Sequence, residues 1–486
     1  MSVASPPTTH TPPAPGVPAV QPGPSRARQF WGTVRSLRWT EFRLLLIPSI
    51  LSIVGMLMVI LVPTGAMQWQ WKDLWMSFVF IGLLAGLHLY LNVFKPRADQ
   101  VLLPITATIM VLGLVMIQRL EPALVVKSPE FEGIARKQVL WIVVGMFALW
   151  ATVALVRDLN WLRRYKYTFA ILGIGLVAAT LVFGTDAGSG SGVKLWFNFG
   201  FFLFQPSELL KVVLVIFLAG YLDDKRELLA SPYRLGPVKL PPIPYIAPLL
   251  VLWALALVLF VVQRDLGSAL LFFGIFLAML YVASGRLFFV VGGLALFFAA
   301  AYTLSAFFAS QFTHIARRVN IWLDPWPVGH DEGFQIVQSL YALASGGVLG
   351  VGIGFGSSGI IPAVQTDMII SAIGEELGLA GTLGVVALFM VLVYRGYHIA
   401  FASRSGYEQL LAVGLTTILG LQAIIIIGGA IKMIPLTGIT LPFISYGGSS
   451  IVANFVLLAL LLLVSDRARR EAAEPAGRPG TMGMVP

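Results

Sequence analysis

The chain has 486 residues, of which 57% are hydrophobic and 12% are charged, and its mean hydropathy is +0.85. No soluble domain of this size buries so much apolar surface, whereas a bilayer accepts it because lipid-facing side chains are already out of water. The sequence has no cysteine, which excludes disulfides and thiolate metal sites, and its five histidines show no zinc-ligand spacing. Anionic lipid at the inner membrane surface accounts for the net charge of +10, so no nucleic-acid partner is expected.

The first feature along the chain is a proline-rich tail. Residues 1–25 contain eight prolines and lack the apolar core of a signal peptide, so residues 1–40 are expected to be a disordered cytoplasmic tail. Apolar runs of helical length then follow, without the period-two alternation of a barrel. We expect twelve spans, near 42–62, 72–92, 100–118, 138–156, 166–184, 205–222, 244–262, 266–284, 286–309, 366–395, 407–431 and 446–465. The sequence therefore predicts an all-α polytopic integral membrane protein, with a second disordered cytoplasmic tail at 467–486.

The placement of Lys and Arg predicts the orientation of these spans. With the N-terminus in the cytoplasm, basic stretches such as "RDLNWLRRYKY" and "SDRARREAA" lie on the inner side, as the positive-inside rule requires. The longest predicted loop, 310–365, then lies outside the cytoplasm, and so does the turn that contains Asp265.

Two charged residues lie near the start of the sixth predicted span, in "FQPSELLK". Pro206 suits a first helical position, and Glu208 faces a favourable helix dipole there. Lys211 is three residues further on, so it lies on the same helix face and can pair with Glu208. Two interpretations remain open, a buried ion pair that holds helices together and a polar cavity wall that positions a ligand.

The outer loops before and after this span carry further cations. Lys194 stands near Trp196 in a Gly/Ser-rich segment; a flexible loop is the simpler interpretation, although an anionic headgroup or a sugar suits such a pair. In the loop 310–365, Arg317 and Arg318 are candidates to neutralise phosphate. A G-x-G-x-x-G match occurs within 354–359. No strand precedes it, so a dinucleotide site is rejected, and flexible or closely approaching backbone is expected instead.

Acidic residues and helix-breaking residues are frequent in two segments of the C-terminal part of the sequence. "QTDMIISAIGEELG" brings Asp367, Glu375 and Glu376 into a span, and "IKMIPLTGITLPFISYGGSS" is rich in Pro, Gly, Ser and Thr. The latter is expected to be a re-entrant or interfacial segment that lines a cavity. The outer helix ends carry Glu208, Lys211, Asp265, Asp367 and Lys432. A shared, outward-facing polar cavity is therefore predicted.

Asp265 lies in "VVQRDLGSAL", between two strongly apolar runs. It directly precedes a helical run, and Asp is a preferred N-cap that stabilises a helix by ~1 kcal/mol. Half of an ion pair and a base that does chemistry are the other interpretations. Capping is the simplest of the three from position alone, and it is compatible with catalysis.

Several segments together resemble one family. "QPSELLK", "QRDLG", "LDPW", "QSLYALASGG", "TDMIISAIGEELG" and "PLTGITLPFISYGGSS" are similar, in this order, to segments of the shape, elongation, division and sporulation (SEDS) family, of the RodA/FtsW type. The resemblance implies a polytopic glycosyltransferase that polymerises lipid II into peptidoglycan strands and works with a class B penicillin-binding protein. It also implies a ten-helix core at 98–466, preceded at 41–97 by two additional helices. Because the longer RodA-like members have this arrangement, elongation is favoured over division.

The resemblance also implies roles for individual residues. Asp265 matches the family's essential aspartate and is expected to take the proton of the acceptor sugar hydroxyl. The leaving pyrophosphate needs cations or a divalent metal, either Mg²⁺ or Mn²⁺. Candidates for the pyrophosphate and the rest of the substrate are Lys194, Trp196, Gln205, Ser207, Glu208, Lys211, Arg318, Asp367, Lys432, Ser445 and Ser449. Glu208 is expected to organise Lys211, and Trp196 to pack against sugar or lipid.

Three positions depart from the family pattern. Gln365 stands where His is usual, no Glu follows Pro362, and Arg264 replaces a Pro. A cation next to Asp265 lowers its pKa or faces headgroups. Other functions stay open: a lipid II flippase, which needs no base, and a scaffold for the transpeptidase, for which loss of the Asp265 carboxylate is silent in cells. A division-type polymerase is the third alternative.

Overall fold

The structure is a computed structural model that describes residues 38–62, 70–186, 193–200, 202–230, 233–235, 238–240, 243–307 and 313–473. Its long apolar runs form helices, as predicted from the sequence. The helices are α1 (Trp39–Leu61), α2 (Trp75–Phe94), α3 (Leu102–Lys127), α4 (Ile134–Leu155), α5 (Leu159–Arg164), α6 (Lys166–Phe183), α7 (Pro206–Asp224), α8 (Arg226–Ala230), α9 (Ile243–Val262), α10 (Leu266–Ser284), α11 (Leu287–Phe307), α12 (Thr313–Leu323), α13 (Phe334–Gly346), α14 (Ile369–Ala402), α15 (Gly406–Ala430) and α16 (Gly448–Ala473). Short 3₁₀ turns occur at Trp71–Leu74, Pro129–Phe131, Trp326–Val328 and Ser358–Ile360.

Two small antiparallel ribbons complete the described structure. Strands β1 (Phe197–Asn198) and β2 (Leu203–Phe204) pair just before α7, and β3 (Tyr233–Leu235) pairs with β4 (Val238–Leu240) before α9.

Each predicted span coincides with a helix, and nine of the described helices are long and apolar enough to cross a bilayer. Helix α7 is less apolar because it contains Glu208, Lys211 and two aspartates among its 19 residues. The predicted class, a multi-pass α-helical membrane protein, is confirmed. The predicted loop 310–365 contains helices of its own, α12 and α13.

The helices surround a small inner group. Helices α3, α15 and α16 are buried over most of their length. Helix α16 packs against α4, α15 packs against α14 and α7, and the N-terminal pair α1–α2 packs on the outside, against α3 and α4. Gly113 of α3 lets the irregular segment 431–447 approach, because a Cβ there would lie 2.3 Å from the carbonyl oxygen of Ile444. Irregular backbone is tolerated in such a protein where other protein atoms cover it.

Helix α14 is broken, which corrects the prediction of one continuous helix at 366–395. Gly378 has φ 69° and ψ −167°, a conformation that essentially only glycine adopts. The exposed amides beyond the break find partners in the preceding loop. Leu379 N–H donates to the carbonyl of Gly347 at 2.9 Å, and Ala380 N–H to that of Val348 at 3.1 Å.

The predicted disordered tail, residues 1–40, is wrong over 38–40, which the structure shows to be ordered. Helix α1 begins at Trp39, and the Arg38 side chain is fully buried. Its guanidinium pairs with Glu41 and donates to the carbonyl of Lys95 at 2.8 Å and of Asp99 at 2.7 Å. These long-range bonds order the start of the helix. The predicted disorder of residues 1–37 lies outside the described residues.

The predicted C-terminal tail is also wrong over 467–473, where α16 continues to Ala473. Ion pairs hold this last part. Arg467 contacts Glu408 at 2.9 Å and Glu471 at 3.4 Å, and Arg470 contacts Asp466 at 2.9 Å. The remaining prediction, for residues 474–486, lies outside the described part.

Candidate functional site

A tight turn between α9 and α10 presents Asp265. Arg264 has φ 56°, in the left-handed region, and Asp265 N–H donates to the carbonyl of Phe260 at 2.9 Å. Gln263 is buried beside the turn and donates to Thr180 Oγ1 of α6 at 2.7 Å. The turn is therefore fixed to a neighbouring helix, and Arg264 is exposed.

Asp265 is the N-cap of α10. One carboxylate oxygen accepts from Ser268 N–H at 2.9 Å and the other from Ser268 Oγ at 2.7 Å, and the residue is 9% exposed. Burial raises the pKa of Asp265, the bonds from Ser268 lower it, nearby Glu208 raises it and Arg318 lowers it. Asp265 is thus a cap whose carboxylate lies within electrostatic reach of a second acid and a cation.

The segment 436–439 packs against the first turn of α10, next to this cap. A Cβ on Gly267, two residues after Asp265, would lie 2.7 Å from the carbonyl oxygen of Thr437. Arg318 of α12 holds the same segment, because its Nη1 donates to the carbonyls of Leu436 at 3.1 Å and Thr437 at 3.2 Å. The N-terminus of α10, α12 and this segment therefore meet at one point.

A cavity of about 310 Å³ opens on the other side of this segment. Its walls are formed by Arg317, Arg318, Ile321, Glu332, Gln335, Ile336, Asp367, Leu436 and Gly438. Asp367 precedes α14, and burial raises the pKa of its carboxyl to about 6, while a hydrogen bond from Thr366 and the charge of Arg318 lower it. Of the described carboxylates, Asp367 and Glu332 face the cavity, whereas Asp265 lies behind its wall. Arg318 influences both aspartates and belongs to the wall itself.

The predicted pair in α7 is confirmed, with Lys211 Nζ 2.6 Å from Glu208 Oε2. The Lys211 side chain is 2% exposed and that of Glu208 is 12% exposed. Lys211 Nζ also donates to Gln422 Oε1 of α15 at 3.0 Å, and Gln422 Nε2 donates to the carbonyl of Thr440 at 2.8 Å. A polar chain thus connects α7 through α15 to Thr440, which follows the segment 436–439.

The other predicted cations lie apart from the cavity wall. Lys194 is exposed, and Trp196 pairs with Thr185, whose N–H donates to the Trp196 carbonyl at 2.7 Å. Lys432 Nζ donates to the carbonyl of Leu323 at 3.3 Å, at the C-terminal end of α12. In this structure Lys432 therefore fastens α12 to the segment 431–447.

Of the four predicted polar residues without charge, Ser445 and Ser449 contact backbone through their side chains. Gln205 N–H donates to Ser449 Oγ at 3.0 Å, and Ser449 Oγ donates to the carbonyl of Leu203 at 3.3 Å. Ser445 Oγ accepts from Leu441 N–H at 2.9 Å and donates to the carbonyl of Thr366. Ser207 is buried in the first turn of α7. Ser445 and Ser449 thus shape the backbone that surrounds the site.

The glycine-rich segment 345–359 approaches other backbone closely, as predicted. A Cβ on Gly350 would lie 2.2 Å from the carbonyl oxygen of Glu376. Glu376 accepts from Gly354 N–H at 3.0 Å and pairs with Arg119 of α3 at 3.1 Å, and Glu375 accepts from Ser357 N–H at 3.0 Å. The two glutamates therefore hold this loop against α14.

Sequence reasoning missed three polar residues at the site. Glu332 and Gln335 line the cavity, and Gln422 connects Lys211 to Thr440. For Gln422 a signal was present, since it is a lone amide within an apolar span and such residues find polar partners. Glu332 and Gln335 lie in the predicted outer loop 310–365, which contains many other polar residues, so nothing distinguished them.

The described residues contain no group of three or more His, Asp or Glu side chains that could hold a metal ion. Glu332 is paired with Arg317 at 3.2 Å, which leaves Asp367 as the carboxylate that faces the cavity without an ion pair among the described residues. One carboxylate suits Mg²⁺ when substrate phosphates and water supply the other ligands.

A protein-family model described as "cell cycle protein", which covers FtsW, RodA and SpoVE, matches residues 99–470. The chain belongs to this family. Peptidoglycan glycosyltransferase RodA of Mycobacterium tuberculosis is 38% identical over 435 residues, which cover 89% of this chain and 91% of that protein. The probable peptidoglycan glycosyltransferase FtsW of Geobacter metallireducens is 33% identical over 377 residues, 77% of this chain and 96% of the relative. The match to this FtsW/RodA/SpoVE family confirms the predicted resemblance.

Two solved structures that are similar to this chain support the family assignment. One, described as "Structural coordination of polymerization and crosslinking by a peptidoglycan synthase complex", has a TM-score of 0.60 and 27% identity, and the match covers 76% of this chain and 98% of the other. The crystal structure of the Thermus thermophilus rod shape determining protein RodA has a TM-score of 0.53 and 25% identity, with 78% and 98% covered.

Proposed function

We propose that this chain is a peptidoglycan glycosyltransferase that polymerises lipid II during cell elongation, together with a class B penicillin-binding protein. The observation that carries the proposal is the 38% identity, over 89% of the chain, to relatives that are named peptidoglycan glycosyltransferase RodA. The lower identity of 33% to an FtsW relative favours elongation over division. The solved complex that the chain resembles supports a transpeptidase partner.

In the proposed reaction, the acceptor hydroxyl attacks the anomeric carbon of the donor sugar. The bond from this carbon to the lipid pyrophosphate breaks, which inverts the configuration, and Asp265 takes the hydroxyl proton. A carboxylate is a competent base here, and the raised pKa of Asp265 increases its proton affinity. Pyrophosphate is a good leaving group, so one base and a cationic clamp are sufficient.

Arg318 is the central cation of the proposed clamp. It lines the cavity, and its guanidinium fork suits phosphate oxygens. Lys211, which is paired with Glu208, supports the clamp from α7, and Asp367 contacts the sugar or the metal. A divalent cation, Mg²⁺ or Mn²⁺, would be held by Asp367 with substrate oxygens and would neutralise charge on the pyrophosphate. Lys194, Trp196 and Lys432 remain proposed contacts for the outer parts of the substrate.

The orientation of the site is part of the proposal. We place the protein in the cytoplasmic membrane with both termini inside and the cavity outside, with residues 41–97 as an addition to a catalytic core at 98–466. The chain lacks cysteine, so single substitutions give a clean test. Asp331→Cys should react with a membrane-impermeant maleimide in intact cells, and Arg404→Cys should react only after lysis. The reverse pattern would overturn the orientation.

The activity itself is tested with the purified chain, its transpeptidase partner and labelled lipid II in vesicles. Glycan strands that lengthen with time support the polymerase. A flippase would move labelled lipid between leaflets without lengthening glycan, and a scaffold would do neither. Either of these results in the presence of the partner would refute the proposed activity.

A further inference from the structure

A second cavity lies far from the candidate site, between the additional helix α2 and helix α4 of the core. Its volume is about 400 Å³, and its lining contains three aromatic rings and two cations. Tyr90, Phe94 and Trp150 form the aromatic side, with the Tyr90 ring centroid 4.7 Å from that of Phe94 and 6.0 Å from that of Trp150. Lys95 and Arg157 follow the C-terminal ends of α2 and α4, so both lie at the same end of the cavity.

The two cations have no ion-pair partner among the described residues. Asp466, the acid whose charge acts on Lys95, is already bound by Arg470 at 2.9 Å, and Asp158, the neighbour of Arg157, is bound by Arg467 at 3.0 Å. Burial lowers the pKa of the Lys95 ammonium, and Asp466 offsets this only in part. The end of the cavity therefore carries positive charge that no described side chain neutralises directly.

The aromatic side and the cationic end of this cavity together indicate the class of ligand. Cations at a helix end attract anionic headgroups, and aromatic rings are favoured at headgroup level. Phe94 and Trp150 are 59% and 43% exposed, so the apolar side of the cavity opens towards lipid. The volume lies in the range of small-molecule pockets, which is about 300–1,000 Å³.

We propose that this cavity binds one anionic phospholipid, with its phosphate between Lys95 and Arg157 and its upper acyl chains against the three rings. The lipid would fill the space between an N-terminal helix and the family core. This site is independent of the candidate active site and of the proposed enzymatic activity.

The test compares lipid retention by native mass spectrometry of the purified full chain. The probes are phosphatidylglycerol, which is anionic, and phosphatidylcholine, which is zwitterionic. We expect the unmodified protein to retain phosphatidylglycerol preferentially. Removing both charges, in Lys95→Gln with Arg157→Gln, should weaken this retention on the order of tenfold. Exchanging the cations, in Lys95→Arg with Arg157→Lys, should preserve it.

Two controls separate the site from general surface charge. Arg164→Gln with Arg404→Gln removes the same charge from exposed cytoplasm-facing positions outside the cavity and should leave retention unchanged. Ala154→Phe narrows the cavity without altering charge and should reduce retention. The proposal is overturned if the first double variant retains phosphatidylglycerol normally, if the control pair loses as much, or if soluble glycerol 3-phosphate competes as well as the lipid.

Discussion

Replacing Asp265 by Asn separates the two roles of this residue. The carboxylate caps α10 through bonds from Ser268 N–H at 2.9 Å and Ser268 Oγ at 2.7 Å. An Asn side chain keeps an oxygen for the backbone N–H, and the Ser268 hydroxyl can rotate to accept from the new amide. Asn and Asp are equivalent as N-caps, so the free energy of unfolding should change by less than about 1 kcal/mol.

The loss of activity should be much larger than this. A general base contributes about a hundred- to ten-thousandfold to the rate, which corresponds to roughly 3–5 kcal/mol of activation free energy. In the unmodified protein, burial raises the pKa of Asp265. Because the base must be deprotonated, the rate should fall on acidification at a pH above the usual range of Asp, and the residual rate of the variant should lack this step.

The assay follows glycan length from labelled lipid II with the transpeptidase partner present, and thermal unfolding is measured on the same preparation. Asp158→Asn is the matched control, since Asp158 caps α5 through Asn160 N–H at 3.0 Å and lies away from the cavity. The control should polymerise normally. Normal polymerisation by Asp265→Asn would refute the assignment of the base, and if Asp367→Asn were then inactive, the role would pass to Asp367.

Three further outcomes follow from the structure. Lys211→Met should lower stability by about 3–5 kcal/mol because Glu208 is left without its partner, and adding Glu208→Gln should recover part of this in thermal unfolding. Gly378→Ala should severely reduce the amount of folded protein because φ is +69° and a Cβ would lie 2.3 Å from Gly350 N, whereas Gly384→Ala, with open space around it, should be neutral or stabilising. The pKa of Asp367 is raised to about 6, so the folded protein binds the carboxyl proton of Asp367 more tightly than the unfolded chain does. The free energy of unfolding should therefore fall as pH rises from 3.8 to 6. In Asp367→Asn this decline, followed by thermal unfolding, should be smaller.

The sequence predicts the helices well because their existence depends on local composition. A run of about 20 apolar residues specifies a membrane helix regardless of its neighbours. The ends and breaks depend on distant partners instead. Helix α16 continues past its apolar part because Arg469 pairs with Asp99 at 2.9 Å, and α14 breaks at Gly378 because the loop around Gly347 supplies bonds for its amides. Neither partner is visible in the local pattern.

The sequence predicts which residues belong to the candidate site better than it predicts how they are arranged. Asp265 and Asp367 were identified from charge at helix ends and Arg318 as a cation of the outer loop, and the structure brings both aspartates within electrostatic reach of Arg318. The sequence does not reveal that Asp367 and Arg318 line the cavity whereas Asp265 does not. This arrangement depends on Gly267, whose missing side chain admits the carbonyl of Thr437.

This arrangement constrains the proposed reaction. Arg318 donates to the carbonyls of Leu436 and Thr437, so the guanidinium that is expected to meet pyrophosphate also holds the segment 436–439, which packs against the first turn of α10. A phosphate that competes for Arg318 weakens its bonds to this segment, and movement of the segment would increase access to Asp265, which is 9% exposed. If Asp265 is the base, donor binding and exposure of the base are therefore coupled through Arg318. If Asp367 is the base, no movement is needed, because its carboxylate already faces the cavity.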